Sequence, residues 1–286
     1  MNRLHRLALS VVLVSFAGGS LGAIDLNKLV KAKKQLDKIE KVAAMVRPIT
    51  EEEEYYIGRA VAANLMGKYP LWKNAAATRY VNLIGQWLAV HGERPEIFGG
   101  YRFALLDTPE LNAFSAPGGI VLLSRGLLLA AESEGELAAV IAHEICHLSA
   151  RDPVKAIKSE RTKALGTFAA GELTAGSSEV VKVFQGSILD VTGTLLQKGY
   201  SRGQEKAADL GALTLLEASG YRPAALRSML EKLSEREKAK AKVFSAHPPC
   251  RDRIAYVDEK VKDDGGAGEP PARQARFSKT VNAAGK

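Results

Sequence analysis

Residues 133–148 read SEGELAAVIAHEICHL, and this stretch decides the fold. Ser133 followed by Glu136 forms a capping box, so a helix opens there. Leu137, Val140, Ile141 and Leu148 recur at helical spacing until Pro153 stops continuation. Inside the run stand His143, Glu144 and His147. At 3.6 residues per turn the two histidines lie about 40° apart on one face, so both imidazoles reach one ion. Glu144 is turned roughly 100° from His143, beside the ion rather than on it, which suits a general base. A catalytic zinc wants three protein ligands and an open fourth place. Glu205, just inside a helix that Ser201 caps, is the best third ligand, and Asp209, one turn further on, shares its face and can orient a neighbour.

Outward from that helix the chain alternates between helical and strand periods. Thr50 and Glu53 form a capping box that opens a helix towards Met66. A second helix follows Pro70, with Tyr80, Leu83, Ile84, Trp87 and Leu88 read as one face. Tyr101 to Asp107, Asn112 to Ala116 and Ile120 to Leu123 are short apolar runs separated by turn sequences, Thr108-Pro109-Glu110 and Pro117-Gly118-Gly119. Residues 154 to 199 read as two apolar helices interrupted by Glu172, Glu179 and Lys182, and Ser201 with Gln204 caps a helix ending at Gly220. The expected class is α+β, mostly helical, with a small sheet of about three strands packed on the helix that carries His143.

Composition places the chain among globular proteins: 286 residues, 46% hydrophobic and 25% charged, which excludes disorder of the whole chain. Arg3, His5 and Arg6 precede an apolar run from Leu7 to Phe16, so residues 1–23 read as a signal peptide. That run of about ten residues is too short to span a membrane. Cleavage would remove Arg3 and Arg6 and no acid, taking the net charge from +8 to +6. Residues 24–48 follow as a basic amphipathic helix, then a metal-binding domain over 49–262 and, from the Gly/Pro-rich stretch at 263–286, a disordered tail. The positive charge is dispersed and lacks interleaved aromatics, so nucleic acid is not an expected partner; the basic helix reads either as a solvated helix packed on the body or as one docking on an anionic membrane surface. Cys146 and Cys250 read as free thiols in preference to a disulfide closing a loop of about 100 residues.

Four segments together resemble family forty-eight of the metallopeptidases: His143-Glu144-x-x-His147, Ser201-Arg202-x-x-Glu205-x-x-Ala208-Asp209, the strand from Asn112 to Gly119, and His247-Pro248 with Arg253. The resemblance runs roughly from Glu51 to Arg253 and implies a zincin-like fold. It also implies that His143, His147 and Glu205 bind one Zn2+ and that Glu144 is the base. Asn112 and His247 would face the substrate, with Arg253 beside the site and paired to Asp209, and His247 or Arg253 would stabilise the oxyanion. The strand contributed by Ala113, Phe114 and Ser115 would offer an edge to an extended polypeptide. The chain departs from the family at Cys146, where Gly is usual, at Asp152, where His often follows Arg151, and in lacking hydrophobic spans. These features point to an exported, periplasmic endopeptidase acting on misfolded or unassembled envelope proteins, with the membrane surface or the outer-membrane assembly machinery as partner. The alternative is a slow protease, latched by His247 as a fourth zinc ligand, that serves mainly as a chaperone.

Overall fold

The computed structural model describes residues 30, 31, 33, 48–156, 188–189, 191–238, 247–261 and 268–284. The chain divides into two compact units, residues 1–45 and 46–286. Of the first, Val30, Lys31 and Lys33 are described, all helical. The expected signal peptide and most of the expected basic helix lie outside the described residues, as does most of the 154–199 stretch.

In the second unit, helix α1 (Glu51–Lys68) opens on the capping box: Thr50 N–H donates to Glu53 at 3.0 Å and Glu53 N–H to Thr50 Oγ1 at 3.2 Å. Helix α2 (Ala75–Val90) is capped by Asn74, whose Oδ1 accepts from Ala77 N–H. Its buried face carries Ala77, Tyr80, Val81, Ile84, Gly85 and Leu88, while Leu83 and Trp87, read as part of that face, are exposed. Gly85 explains the rotation, because the Phe103 ring lies where a Cβ would stand, at 2.4 Å. Trp87 instead donates its indole N–H to the Ser219 carbonyl.

Strands β1 (Arg102–Leu106), β2 (Ala113–Ala116) and β3 (Ile120–Ser124) form a sheet in the order β1-β3-β2, with β1 parallel and β2 antiparallel to β3. Period two sorts their side chains onto two cores. Phe103, Leu105, Ala113, Val121 and Leu123 join the core shared with α2, and Leu106, Phe114, Ala116, Ile120 and Leu122 join the one shared with α1. The β2–β3 turn needs Gly118 at φ +70, and a Cβ there would meet the Tyr55 Cα at 2.5 Å.

After the short α3 (Arg125–Ala130), helix α4 (Glu134–Ser149) runs through the middle of the unit and is buried along nearly its whole length. Ser133 Oγ accepts from Glu136 N–H, but the Glu136 carboxylate takes the Glu132 N–H, so only half of the expected box closes. Leu137 and Ile141 are fully buried, each contributing about 1.5–3 kcal/mol by leaving water. A π-helical turn (Thr194–Lys198) precedes α5 (Arg202–Ala218), whose Ser201/Gln204 box is complete and which packs along α4. Helices α6 (Ala224–Lys238) and α7 (Cys250–Asp258) pack on each other, and α6 also flanks α4.

The last helix, α8 (Pro271–Ala284), corrects the expectation of a disordered tail. Low apolar content misleads here because one buried side chain, Phe277, and two arginines are enough to anchor it. Arg276 pairs with the buried Glu134 at the start of α4, and Arg273 donates to the Gly220 carbonyl and lies over the Tyr221 ring. Both cysteines are free thiols. Among the described residues, no helix is long and apolar enough to cross a membrane.

Candidate active site

Three elements deliver the chemistry to one point. The cap at Ser133 sets the phase of α4, which presents His143 and His147 side by side, their Nε2 atoms 3.1 Å apart. The cap at Ser201 sets α5, whose first turn brings Glu205 to 3.6 Å from the Nε2 of each histidine. His247, just ahead of α7, places Nδ1 2.8 Å from Glu205 Oε2 and Nε2 3.9 Å from Glu144 Oε1. One ligand atom from each of His143, His147, Glu205 and His247 lies within 4.8 Å of all the others. His143, Glu144, His147 and Glu205 are all buried.

The outer nitrogens fix the histidine tautomers. His143 Nδ1 stands 2.8 Å from Asp209 Oδ1, and His147 Nδ1 stands 2.9 Å from Asp152 Oδ2. A carboxylate only accepts, so each Nδ1 carries its hydrogen and each Nε2 turns a bare lone pair inward. Two lone pairs facing each other at 3.1 Å, with Glu205 Oε1 buried beside them and lacking a hydrogen-bond partner, fit a cation better than any neutral occupant. The donor set, two imidazole nitrogens and a carboxylate oxygen, is one that zinc accepts.

The surrounding charges and burial pull the two imidazoles in opposite directions. Burial and the Arg253 charge press His143 down, yet Asp209 and Glu205 outweigh both and hold it up at about 9. Burial keeps His147 below its usual range despite Asp152. Burial would raise Glu205 and Asp209, but His247 and His143 around the first, and Arg253 and His143 around the second, hold both well below the usual carboxylate range.

Arg253 donates to Asp209 from Nε at 2.9 Å and from Nη2 at 2.6 Å, and Tyr256 donates to the same carboxylate. Its Nη2 is 3.3 Å from His143 Nδ1, so the guanidinium stands behind the histidine, away from Nε2. Of the two residues expected to meet an oxyanion, His247 is the one within 3.9 Å of Glu144. Ala113, Phe114 and Ser115 line a small cavity of about 10 Å³ together with Glu144, Tyr200 and His247. Asn112 does not line it; its backbone pairs with Ser124, and its Oδ1 is buried without a hydrogen-bond partner.

Sequence reasoning treated Asp152 only as a departure, whereas it is the acceptor for His147, held in turn by Gln204 at 2.9 Å and Lys155 at 2.8 Å. The available signal was an acid placed where the chain doubles back past the end of α4, at Arg151 with φ +55. Tyr200, whose ring lies 4.3 Å from that of His147, went unremarked because nothing in its local spacing distinguishes it.

Two histidines one helical turn apart, a glutamate between them and a carboxylate from a second helix, set against a small mixed sheet, define a zincin-like metallopeptidase. Peptidase family M48 matches residues 75–261, more than half of the chain, and the chain belongs to that family. It is 28% identical over 213 residues to the "Beta-barrel assembly-enhancing protease" of Escherichia coli K12, covering 71% of this chain and 42% of that protein. It is 33% identical over 158 residues to the "Mitochondrial metalloendopeptidase OMA1" of Schizosaccharomyces pombe, covering 54% of this chain and 45% of that one. To the "Metalloprotease LoiP" of Escherichia coli K12 it is 29% identical over 158 residues, covering 54% and 61%. The chain thus spans about half the length of these curated relatives.

Proposed function

We propose that this chain is a zinc endopeptidase that hydrolyses peptide bonds in misfolded or unassembled polypeptides of the cell envelope. The observation that supports it most is the meeting of His143, His147 and Glu205 at one buried point with Glu144 alongside. A zinc ion held by those three would polarise the scissile carbonyl and acidify a water towards neutral pH. Glu144 takes a proton from the attacking water and returns it to the leaving amine. His247, close to both Glu144 and Glu205, offers a ring N–H to the carbonyl oxygen as charge develops there. Asp209 and Asp152 hold the two imidazoles in their working tautomers, and Arg253 balances Asp209 from behind.

Among the described residues β2 pairs only with β3, so its outer edge can take an extended substrate as an added strand. Recognition through backbone favours broad specificity for unfolded chains. Leu195, Gly199 and Tyr200 line the same small cavity as Ala113, Phe114 and Ser115 of that strand. The apolar run at residues 7–16 supports export to the periplasm, and the basic stretch at 24–48 supports contact with the membrane surface. The name of the Escherichia coli relative in β-barrel assembly favours outer-membrane assembly machinery as a partner.

A second reading rests on His247, whose ring belongs to the same ligand cluster. If it fills the fourth place, turnover is slow and the protein acts mainly as a chaperone or assembly factor. Casein incubated with wild type, Glu144→Gln and chelator-treated protein separates the readings. Cleavage by wild type alone is expected. Equal loss of casein in all three refutes a metalloprotease, and suppressed aggregation without cleavage favours the latched form.

A further inference from the structure

The small cavity beside Glu144 holds more unmet hydrogen-bonding capacity than its size accounts for. Ser115 Oγ, Tyr200 Oη and Glu144 Oε1 are each buried without a hydrogen-bond partner. Leaving one such atom unpaired costs about 1–3 kcal/mol, so three in one small space call for a purpose. The Tyr200 and Ser115 hydroxyls are near neighbours, yet neither completes a hydrogen bond of ordinary geometry.

Tyr200 is held firmly. Its ring lies on the His147 imidazole, with centroids 4.3 Å apart and planes inclined by 34°. Its backbone follows Gly199 at φ +67, a conformation that glycine tolerates, and leads directly into the cap Ser201 of α5. A phenylalanine would stack on His147 equally well, so the hydroxyl, not the ring, is the feature that packing leaves unexplained. What the three atoms share is the chemistry of a peptide backbone: a phenol donates to a carbonyl, and a serine hydroxyl or a carboxylate accepts from an amide.

We propose that Tyr200 is a further catalytic residue of this site, its phenol donating a hydrogen bond to the carbonyl oxygen of the peptide group being cleaved. The assignment rests on the endopeptidase reading above. Water adds across the C–N bond, hydroxyl to the carbonyl carbon and hydrogen to the amine nitrogen, while the phenol keeps its own proton throughout. The hydrogen bond strengthens as the oxygen gains charge, so it acts on the barrier more than on substrate affinity. Ser115, on the edge strand beside it, takes the neighbouring backbone.

The test is Tyr200→Phe, which keeps the ring on His147, with Tyr200→Leu as a second variant that removes both. Metal content and melting temperature of Tyr200→Phe should equal wild type. Its kcat on an unfolded substrate should fall by about 10²–10³-fold with KM held within about threefold. Affinity for a phosphinic peptide, a tetrahedral mimic titrated by calorimetry, should fall in parallel. Tyr200→Leu should also weaken metal retention, because His147 loses its stacking partner. Tyr200→Phe with wild-type kcat and wild-type phosphinate affinity overturns the assignment, as does a change confined to KM. Wild type that neither cleaves in a chelator-sensitive way nor binds the phosphinate overturns the endopeptidase reading itself, and Tyr200's role with it.

Discussion

Replacing Asp209 by Leu removes a carboxylate that three side chains share. Arg253 gives it two hydrogen bonds, at 2.9 and 2.6 Å, Tyr256 gives one at 2.5 Å, and His143 Nδ1 stands 2.8 Å away. The side chains of Arg253 and Asp209 are 4% and 0% exposed, so the substitution strands a guanidinium in the interior without its hydrogen-bonded counter-charge. Breaking one side of such a pair costs about 3–5 kcal/mol. For a unit of this size that amounts to roughly 6–20 °C of Tm, at about 2–4 °C per kcal/mol. The exposed pair Arg227–Asp258, 2.6 Å apart but 46% and 43% exposed, supplies the contrast: Asp258→Ala should cost no more than about 1 kcal/mol. Adding Arg253→Met to Asp209→Leu removes the stranded charge and should recover most of the stability. It should not recover metal affinity, which falls about 10–100-fold when the acceptor behind a ligating histidine is lost. Thermal melts and competitive metal titration of the variants read both quantities. An Asp209→Leu protein within about 1 kcal/mol of wild type, or a double variant no more stable than the single, refutes this reasoning.

Asp152 offers a pH test. Burial alone would raise it, but hydrogen bonds from His147, Gln204 and Lys155 lower it to about 2. Its contribution is therefore present in full above the unfolded value of about 3.9 and is lost as pH falls towards 2, so Asp152→Asn should flatten the acid limb of urea-unfolding stability in that window. Phe277→Ala should cost about 3–5 kcal/mol and open the end of the chain to protease, whereas a disordered tail would show neither effect. Burial pushes the Cys146 and Cys250 thiols up to about 12, so a thiol reagent at pH 8 should label the native protein slowly and the denatured protein at once.

How much of this was legible in the sequence follows from range. The capping serines and the four-residue histidine spacing are local, and they foretell α4 and α5 with their inward faces. The strands were readable because turn residues bracket them, but their mixed order was not, since β1 lies parallel to β3 through a crossover that no local pattern encodes. The exposed Trp87 was misread because the face of α2 is set by Phe103 lying over Gly85, a contact between separate segments. The tail was misread for the converse reason: composition counts apolar residues, while α8 is held by Phe277 and by arginines directed at a buried acid. Asp152 and Tyr200 reach His147 only after the chain has reversed direction, so spacing along the sequence says nothing of them.

The proposed grip of His143, His147 and Glu205 on one metal ion fixes which variants should carry zinc. Elemental analysis of purified wild type, Glu144→Gln and Glu205→Ala tests it directly. About one zinc per chain is predicted for wild type and for Glu144→Gln, which alters the base but no ligand, and far less for Glu205→Ala. Wild-type zinc content in Glu205→Ala would contradict it.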